Sequence, residues 1–261
     1  MADAPVGWKL SPESRNVFGG LMLGMFSAAI AQTIVGPAMP RIVAELGGMD
    51  HYSWVATTAL LVSAITTPIV GKLSDLYGRK LFYAAGLVVF MLGAVVSGFA
   101  VSFAMLIVGR ALMGMGMGTI MPLSQTIIGD IIPPRQRGKY SGFMGAVFGV
   151  ATVGGPLAGG AITDAWGWRW LFFVSLPIGL VTLLLVALFM RIPFERRRAR
   201  IDVAGRVTRA GALGSILLAT SWGGTVYPWA SGQVLGLFAV GAALTAAFGL
   251  LELRAEEPVI P

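Results

Sequence analysis

The chain has 261 residues, of which 56% are hydrophobic and 12% are charged, and its formal net charge is +7. Soluble domains carry about 25% charged residues, so the composition excludes an ordinary soluble protein. The chain has no cysteine and a single histidine, His51. Disulfides and thiolate metal sites are therefore excluded, and a histidine-based metal site is not expected.

Apolar runs of about 20 residues recur along the chain, each long enough to cross the roughly 30 Å hydrocarbon core of a bilayer. The first run follows a polar stretch and is full-length, so a cleaved signal peptide is not indicated. The predicted fold class is an all-α polytopic membrane protein embedded in a lipid bilayer. We place its eight spans at residues 17–40, 52–70, 81–101, 103–128, 140–162, 169–190, 208–225 and 233–252.

The distribution of Lys and Arg predicts the orientation of these spans. With the N-terminus inside, all but three of the 19 basic residues lie in inner segments; Arg41 and Arg169 lie outside and Arg110 lies within a span. Cytoplasmic loops carry an excess of Lys and Arg, so both termini are predicted to be cytoplasmic. The positive charge is thus a topology signal, and we expect no nucleic-acid partner.

The spans divide into a group of six and a pair. We predict a cytoplasmic N-terminus, a six-span bundle, a basic cytoplasmic linker, two additional transmembrane helices and the start of a further connection. The linker is either a solvated loop or an interfacial helix, and the ending at Pro261 indicates a chain cut short. The boundaries are 1–16, 17–190, 191–207, 208–252 and 253–261.

A first motif, GKLSDLYGRK, joins spans two and three on the inner side. Glycines permit a tight turn, an aspartate can meet a helix N-terminus or a basic partner, and basic residues can pair with carboxylates or phosphates. A loop that only carries positive charge does not explain the glycine and aspartate spacing. The candidate residues are Gly71, Asp75, Gly78, Arg79 and Lys80.

Two further motifs lie inside spans. GRALMGMGMGTIMPLSQ in span four contains Arg110, the only charged residue well inside a span, where a charge normally faces a cavity or a partner. GVATVGGPLAGGAI in span five combines small residues, which let helices approach closely, with a proline that distorts the backbone. Its residues Gly155, Pro156, Gly159 and Gly160 form either a static packing seam or a moving contact.

Together with WGWRWLFFVSLPIG at span six, these motifs resemble the major facilitator superfamily, in its drug:proton antiporter branch with fourteen spans. The resemblance implies a six-helix N-terminal bundle, two linker helices and a C-terminal half of the same transporter after Pro261. It also implies proton-coupled efflux of small lipophilic or amphipathic compounds by alternating access, in the plasma membrane. The first motif would be a cytoplasmic gating loop, and the span-five motif would lie between moving halves.

The first span departs from that branch, in which it usually reads Leu-Asp-Gln-Thr-Ile-Val. Here residues 30–35 read IAQTIV, so Ala31 replaces an acid that would be a counter-ion and proton carrier beside Arg110. The alanine is natural with coupling carried by the missing half, or engineered to lock an uncoupled state, or the mark of an uncoupled transporter. We predict that Arg110 reaches span one through the side-chain carbonyl of Gln32, through backbone carbonyls freed near Gly36-Pro37, or through cavity water. We also predict that Gln32 and Thr33 face the same cavity.

Two other functions stay open at this point. One is export of a lipid or glycolipid by a transporter of the same fold. The other, of a different functional class, is a membrane scaffold or receptor that transports nothing. No nucleophile with a base, metal cluster or phosphate-binding loop is visible. Gly114, Gly116 and Gly118 imitate a dinucleotide fingerprint, but they lie mid-span with no strand before them. We therefore predict no enzymatic activity and no cofactor.

Overall fold

The computed structural model describes residues 11–48, 51–190, 203–224 and 226–252. Within these ranges all regular elements are helical, apart from an isolated bridge between Gly223 and Tyr227. The predicted linker up to residue 202, the first ten residues and the segment after residue 252 lie outside the described residues. The helices are α1 (Pro12–Thr33), α2 (Met39–Leu46), α3 (Trp54–Tyr77), α4 (Arg79–Gly98), α5 (Phe103–Ile131), α6 (Arg137–Trp166), α7 (Trp170–Phe173), α8 (Ser175–Phe189), α9 (Val203–Trp222) and α10 (Gly232–Glu252).

Seven helical stretches among the described residues are long and apolar enough to cross a membrane. They correspond to predicted spans one to six and span eight. The predicted seventh span corresponds to α9, which starts earlier than expected and contains Arg206 and Arg209 near its beginning. Within it, residues Gly211–Thr220 form a shorter apolar stretch. The chain is a multi-pass, all-α membrane protein, as predicted.

The first span is broken rather than continuous. α1 ends at Thr33, a 3-10 turn covers Gly36–Ala38, and α2 begins at Met39. Pro37 and Pro40 explain the break, because proline has no N–H donor and its ring clashes with the preceding helical turn. The predicted span 17–40 therefore ends in a distinct outer segment. Here "outer" and "inner" follow the orientation predicted from the basic residues.

Helix α5 lies at the centre of the bundle and packs against α1, α3 and α4. Its glycines bring neighbouring backbones close on two sides. A Cβ on Gly118 would lie 2.8 Å from the Ser63 Cα on α3, and one on Gly116 would lie 2.7 Å from the Gly86 carbonyl on α4. Because backbone atoms cannot move aside cheaply, these contacts fix α3, α4 and α5 as one tightly packed unit.

The remaining helices surround this unit. α1 packs against α6 and α8, while α9 packs against both α10 and α3. Large apolar side chains are exposed on the outside of the assembly, as expected where lipid replaces water. Examples are Leu81, Leu92, Val108, Val153, Leu157 and Leu188.

Candidate functional site

Arg110 lies in the outer part of α5, and only 1% of its surface is exposed. Its Nε donates to the Val55 carbonyl at 2.9 Å and its Nη1 donates to the Ala31 carbonyl at 3.2 Å. A weak contact joins Nη1 to the Met113 sulfur at 3.9 Å. In the described part of the chain Arg110 forms no ion pair, so neutral dipoles alone stabilise its charge.

The prediction that Arg110 reaches the first span is confirmed, and the break in that span explains how. Ala31 lies in the last turn of α1, where backbone carbonyls lack a full set of intrahelical partners. One of these carbonyls therefore accepts from Arg110. The second acceptor, Val55, lies in the first turn of α3. Arg110 thus joins the outer ends of α1 and α3 to α5.

Thr33 does not face Arg110, contrary to the sequence prediction. Its hydroxyl donates to the Ala151 carbonyl of α6 at 2.9 Å, because the helical position of Thr33 turns it toward α6. Gln32 is half-buried and makes no hydrogen bond to another described residue, so it is not the partner of Arg110. Of the predicted first-span residues, Ala31 is the one that accepts a hydrogen bond from the arginine, and it does so through its backbone carbonyl.

The span-five motif divides between two faces of α6. Gly155 and Gly159 are buried together with Ala151 and Thr163, at intervals of four residues. A Cβ on Gly159 would meet the backbone carbonyl of Ile34 in span one, so these glycines permit a close contact within the bundle.

The other two residues of the motif point away from that contact. Pro156 is exposed. A Cβ on Gly160 would meet nothing within 4 Å. The motif therefore combines a packing seam, on the Gly155 side, with an open face.

The inner motif forms a charged cluster around Arg79. Its guanidinium bonds Asp75 one turn earlier at 3.1 Å and also pairs with Asp130 at the inner end of α5. Lys80 donates to the Ala187 carbonyl of α8 at 2.7 Å. The motif thus ties the junction of α3 and α4 to two other helices.

The turn itself is shorter than the sequence suggested. Gly78 alone separates α3 from α4, with φ of +103°, a conformation that favours glycine. Gly71 lies inside α3 rather than in a turn, because α3 continues to Tyr77. Its carbonyl accepts a bond of 2.6 Å from the Ser74 hydroxyl. The assignment of Gly71 as a turn glycine was therefore wrong.

Sequence reasoning missed a polar cluster at the outer end of the bundle. Arg41 of α2 pairs with Asp164 at 2.7 Å, and Glu45, one turn later, pairs with Arg169 at 2.5 Å. Trp168 also donates to Glu45 at 2.6 Å. The signal was present in the sequence, since Arg41 and Glu45 are four residues apart with opposite charges, but the helix that carries them was not predicted. The cluster holds α2 against the end of α6 and the loop that follows it.

No group of three or more His, Cys, Asp or Glu side chains comes together among the described residues. The buried site therefore has one arginine, backbone carbonyls and a broken helix as its chemical elements. Such an arrangement can hold the three helices in a defined position. Movement of one helix relative to the others would break the hydrogen bonds of the arginine.

The family model described as Major Facilitator Superfamily matches residues 21–252. The chain belongs to the major facilitator superfamily. Curated relatives of this superfamily member include "Multidrug resistance protein 3" of Bacillus subtilis, 42% identical over 92% of this chain and 47% of the relative. "Multidrug transporter protein MdtP" of the same organism is 40% identical over 97% of this chain and 48% of its own length. The chain thus spans about half the length of these relatives.

Solved structures agree on the fold of this superfamily member. The human organic anion transporter MFSD10 (TETRAN) matches 87% of this chain and 59% of its own, with a TM-score of 0.64 and 18% identity. The POT family transporter PepTSo matches 97% of this chain and 56% of its own, with a TM-score of 0.66 and 13% identity. At these identities the likeness shows the fold alone.

Proposed function

We propose that this chain forms the first half and the linker hairpin of a transporter that exports lipophilic or amphipathic compounds by alternating access. The observation that carries the proposal is the buried Arg110, which joins three helices of a major facilitator bundle through backbone carbonyls. The names of the relatives support the substrate class, because they include multidrug resistance and multidrug transport. The complete protein would have a second bundle as partner and would lie in the plasma membrane.

In this proposal Arg110 acts as a mechanical tie. Its two acceptors lie at the outer ends of α1 and α3, so a change in the position of either end relative to α5 must break or re-form a charge-assisted hydrogen bond. Such bonds are about twice as strong as neutral ones. The break after Thr33 gives the outer part of span one a place to bend without disturbing α1.

The inner cluster would gate the cytoplasmic side. Arg79 holds two carboxylates, one on each of two helices, and Lys80 adds a bond to a third helix. These contacts close a small area of the inner surface and are exposed enough to exchange partners. The open face of α6, with Pro156 and Gly160, would be the moving contact with the second bundle.

In this proposal, proton coupling through the first span depends on an acid at position 31. An acid at position 31 would lie on the residue whose carbonyl already contacts Arg110, so its ionisation would respond to the arginine. With alanine there, residues 17–40 contain no acid. Protons would then be coupled through the second bundle, or the transport would not depend on them.

The test measures efflux in vesicles with imposed proton gradients. It compares the complete protein with its Ala31→Asp variant and with Ala31→Asn, in which asparagine has the shape of aspartate without its charge. We expect Ala31→Asp to change the gradient dependence of efflux several-fold and Ala31→Asn to leave it unchanged. If Ala31→Asp has no effect on that dependence, position 31 has no part in coupling.

The same vesicles separate the candidate substrates. A fluorescent lipophilic dye should leave them, while a fluorescent phospholipid should not. Export of the phospholipid alone would favour lipid transport, and movement of neither probe would favour the scaffold.

A further inference from the structure

A cavity of about 380 Å³ lies between the inner halves of α5 and α6, away from Arg110. Gln125 of α5 and Arg137 and Ser141 of α6 contribute its polar groups. Ile128 of α5 and Met144 and Phe148 of α6 contribute its apolar part. Cavities that bind small molecules have volumes from about 300 to 1,000 Å³ and are mostly apolar with a few polar groups. This cavity has a volume and a mixed lining within that range, and it is open to the surface, since Gln125, Arg137 and Ser141 are exposed.

Arg137 is held in place by neutral partners. Its Nη2 donates to the Gly129 carbonyl at 2.6 Å and its Nε donates to the Ile132 carbonyl at 3.2 Å. Asp130, the acid adjacent to these acceptors in the chain, pairs with Arg79 instead. The charge of Arg137 is therefore positioned but not neutralised, and its Nη1 makes no bond to another described residue.

A purely structural role explains part of this arrangement. A cation near the C-terminus of a helix stabilises the last carbonyls, and Arg137 does so for α5. That role does not account for Gln125 and Ser141, which line the same cavity and make no hydrogen bond to another described residue. Three exposed side chains with donor groups therefore line one open space, and no carboxylate is among its lining residues.

The order of residues along α6 gives the cavity a positively charged end and an apolar end. Arg137 is the first residue of α6 at its inner end, and Ser141, Met144 and Phe148 follow on the same face. At about 1.5 Å per residue, Phe148 lies roughly 16 Å deeper than Arg137 along the helix. The positive end thus faces the inner membrane surface and the apolar end lies toward the membrane interior.

We propose that this cavity binds an amphipathic anion, with its negative group on Arg137 and Ser141 and its apolar body between Ile128, Met144 and Phe148. The inference goes beyond the proposed function, because binding here requires neither transport nor proton coupling. Two sources share this chemistry, a free compound with a carboxylate and an anionic lipid of the inner leaflet.

Decanoate is a suitable probe, with decyltrimethylammonium as its cationic counterpart of equal chain length. Binding of radiolabelled decanoate is measured for the complete protein in nanodiscs of zwitterionic lipid. We expect Arg137→Gln to weaken binding about tenfold or more, since it removes a charge-assisted hydrogen bond. Lys139→Gln is the matched control, because Lys139 is exposed, two residues away and outside the lining. It should change binding less than twofold.

A second variant keeps every charge in place. Gly145 lines the cavity, and a Cβ there would meet nothing within 4 Å. Gly145→Leu should therefore fill the cavity without disturbing the packing and abolish decanoate binding. Gly142→Leu introduces the same side chain on the same helix, also in open space but outside the lining, and should bind decanoate normally.

Three results would overturn the proposal. They are equal losses in Arg137→Gln and Lys139→Gln, normal binding in Gly145→Leu, and competition by decyltrimethylammonium as strong as by unlabelled decanoate. The source of the ligand is decided by adding phosphatidylglycerol to the nanodiscs. Displacement of decanoate supports the anion site with a lipid as its occupant, and no displacement supports it with a free compound.

Discussion

Arg110 and Arg79 represent two regions in which the same side chain is stabilised by different partners. At the inner surface, Arg79 pairs with the carboxylates of Asp75 and Asp130. In the outer part of the bundle interior, Arg110 donates to the backbone carbonyls of Ala31 and Val55 and contacts the Met113 sulfur, with no carboxylate partner among the described residues. A carboxylate carries a charge and can exchange one basic partner for another, whereas a backbone carbonyl is neutral and fixed in its helix. The inner cluster can therefore exchange ion-pair partners. The hydrogen bonds of the buried Arg110 change only when the helices that carry them move.

The largest effect is expected where the partners are fixed. Arg110→Met removes the buried charge, which relieves its desolvation cost, and leaves the Ala31 and Val55 carbonyls without this donor, which costs stability. The two effects on stability oppose each other. We expect efflux by the complete protein to fall at least tenfold while thermal stability is kept. A fall in stability matching that in efflux would instead assign Arg110 a purely structural role, and Arg110→Lys, with a single donor group, should fall between.

The next effect tests the seam that positions the first span. Gly159→Ala places a methyl group against the Ile34 carbonyl, and we expect it to lower stability by about 1–3 kcal/mol. Gly160→Ala, whose methyl group would enter open space, should show no loss. The measurement is the thermal unfolding temperature in detergent. Equal temperatures for the two variants would contradict the close contact between α6 and span one.

A smaller effect is expected at the inner cluster. Asp130→Asn removes one of the two carboxylates that pair with Arg79. We expect the free energy of unfolding to fall by about 1 kcal/mol or less, because partly exposed ion pairs are screened by water and salt. The loss should shrink as the salt concentration rises, while the effect of Arg110→Met on efflux should not. If the loss of stability in Asp130→Asn did not depend on salt, the inner cluster would resemble the buried Arg110 site in being shielded from solvent.

The smallest effect is expected at the outer pair of Arg41 and Asp164, whose side chains are 56% and 71% exposed. Arg41→Gln should change the unfolding free energy by less than about 0.5 kcal/mol. Arg41 also donates to the Thr163 carbonyl at 2.7 Å, and glutamine retains a donor. A loss above 1 kcal/mol would show that the outer cluster matters as much as the inner one.

The sequence was sufficient for the fold class because the apolar runs have the length that a bilayer demands. Arg110 also stood out, since a charge inside a span has no other explanation than a function or a partner. The identity of that partner was out of reach. It depends on which carbonyl becomes free when α1 ends at Thr33, three residues before the predicted Gly-Pro break.

Side-chain direction was the second limit. Thr33 follows Gln32 in the motif, yet it faces α6 because successive residues are about 100° apart around a helix. The lengths of turns were a third limit. The pattern of Gly71 and Gly78 suggested a loop of ten residues, but helical hydrogen bonding continued through Gly71 and left one residue between the helices.

That single-residue connection has a practical consequence. With Gly78 alone between them, the inner ends of α3 and α4 are closely coupled, and we expect them to move together in the proposed transport cycle. Tyr77 and Leu81 flank the junction and are exposed, at 49% and 64%, so both accept spectroscopic labels. The distance between labels at these two positions should stay constant in every state of the transporter. It provides an internal ruler against which all other distance changes can be calibrated.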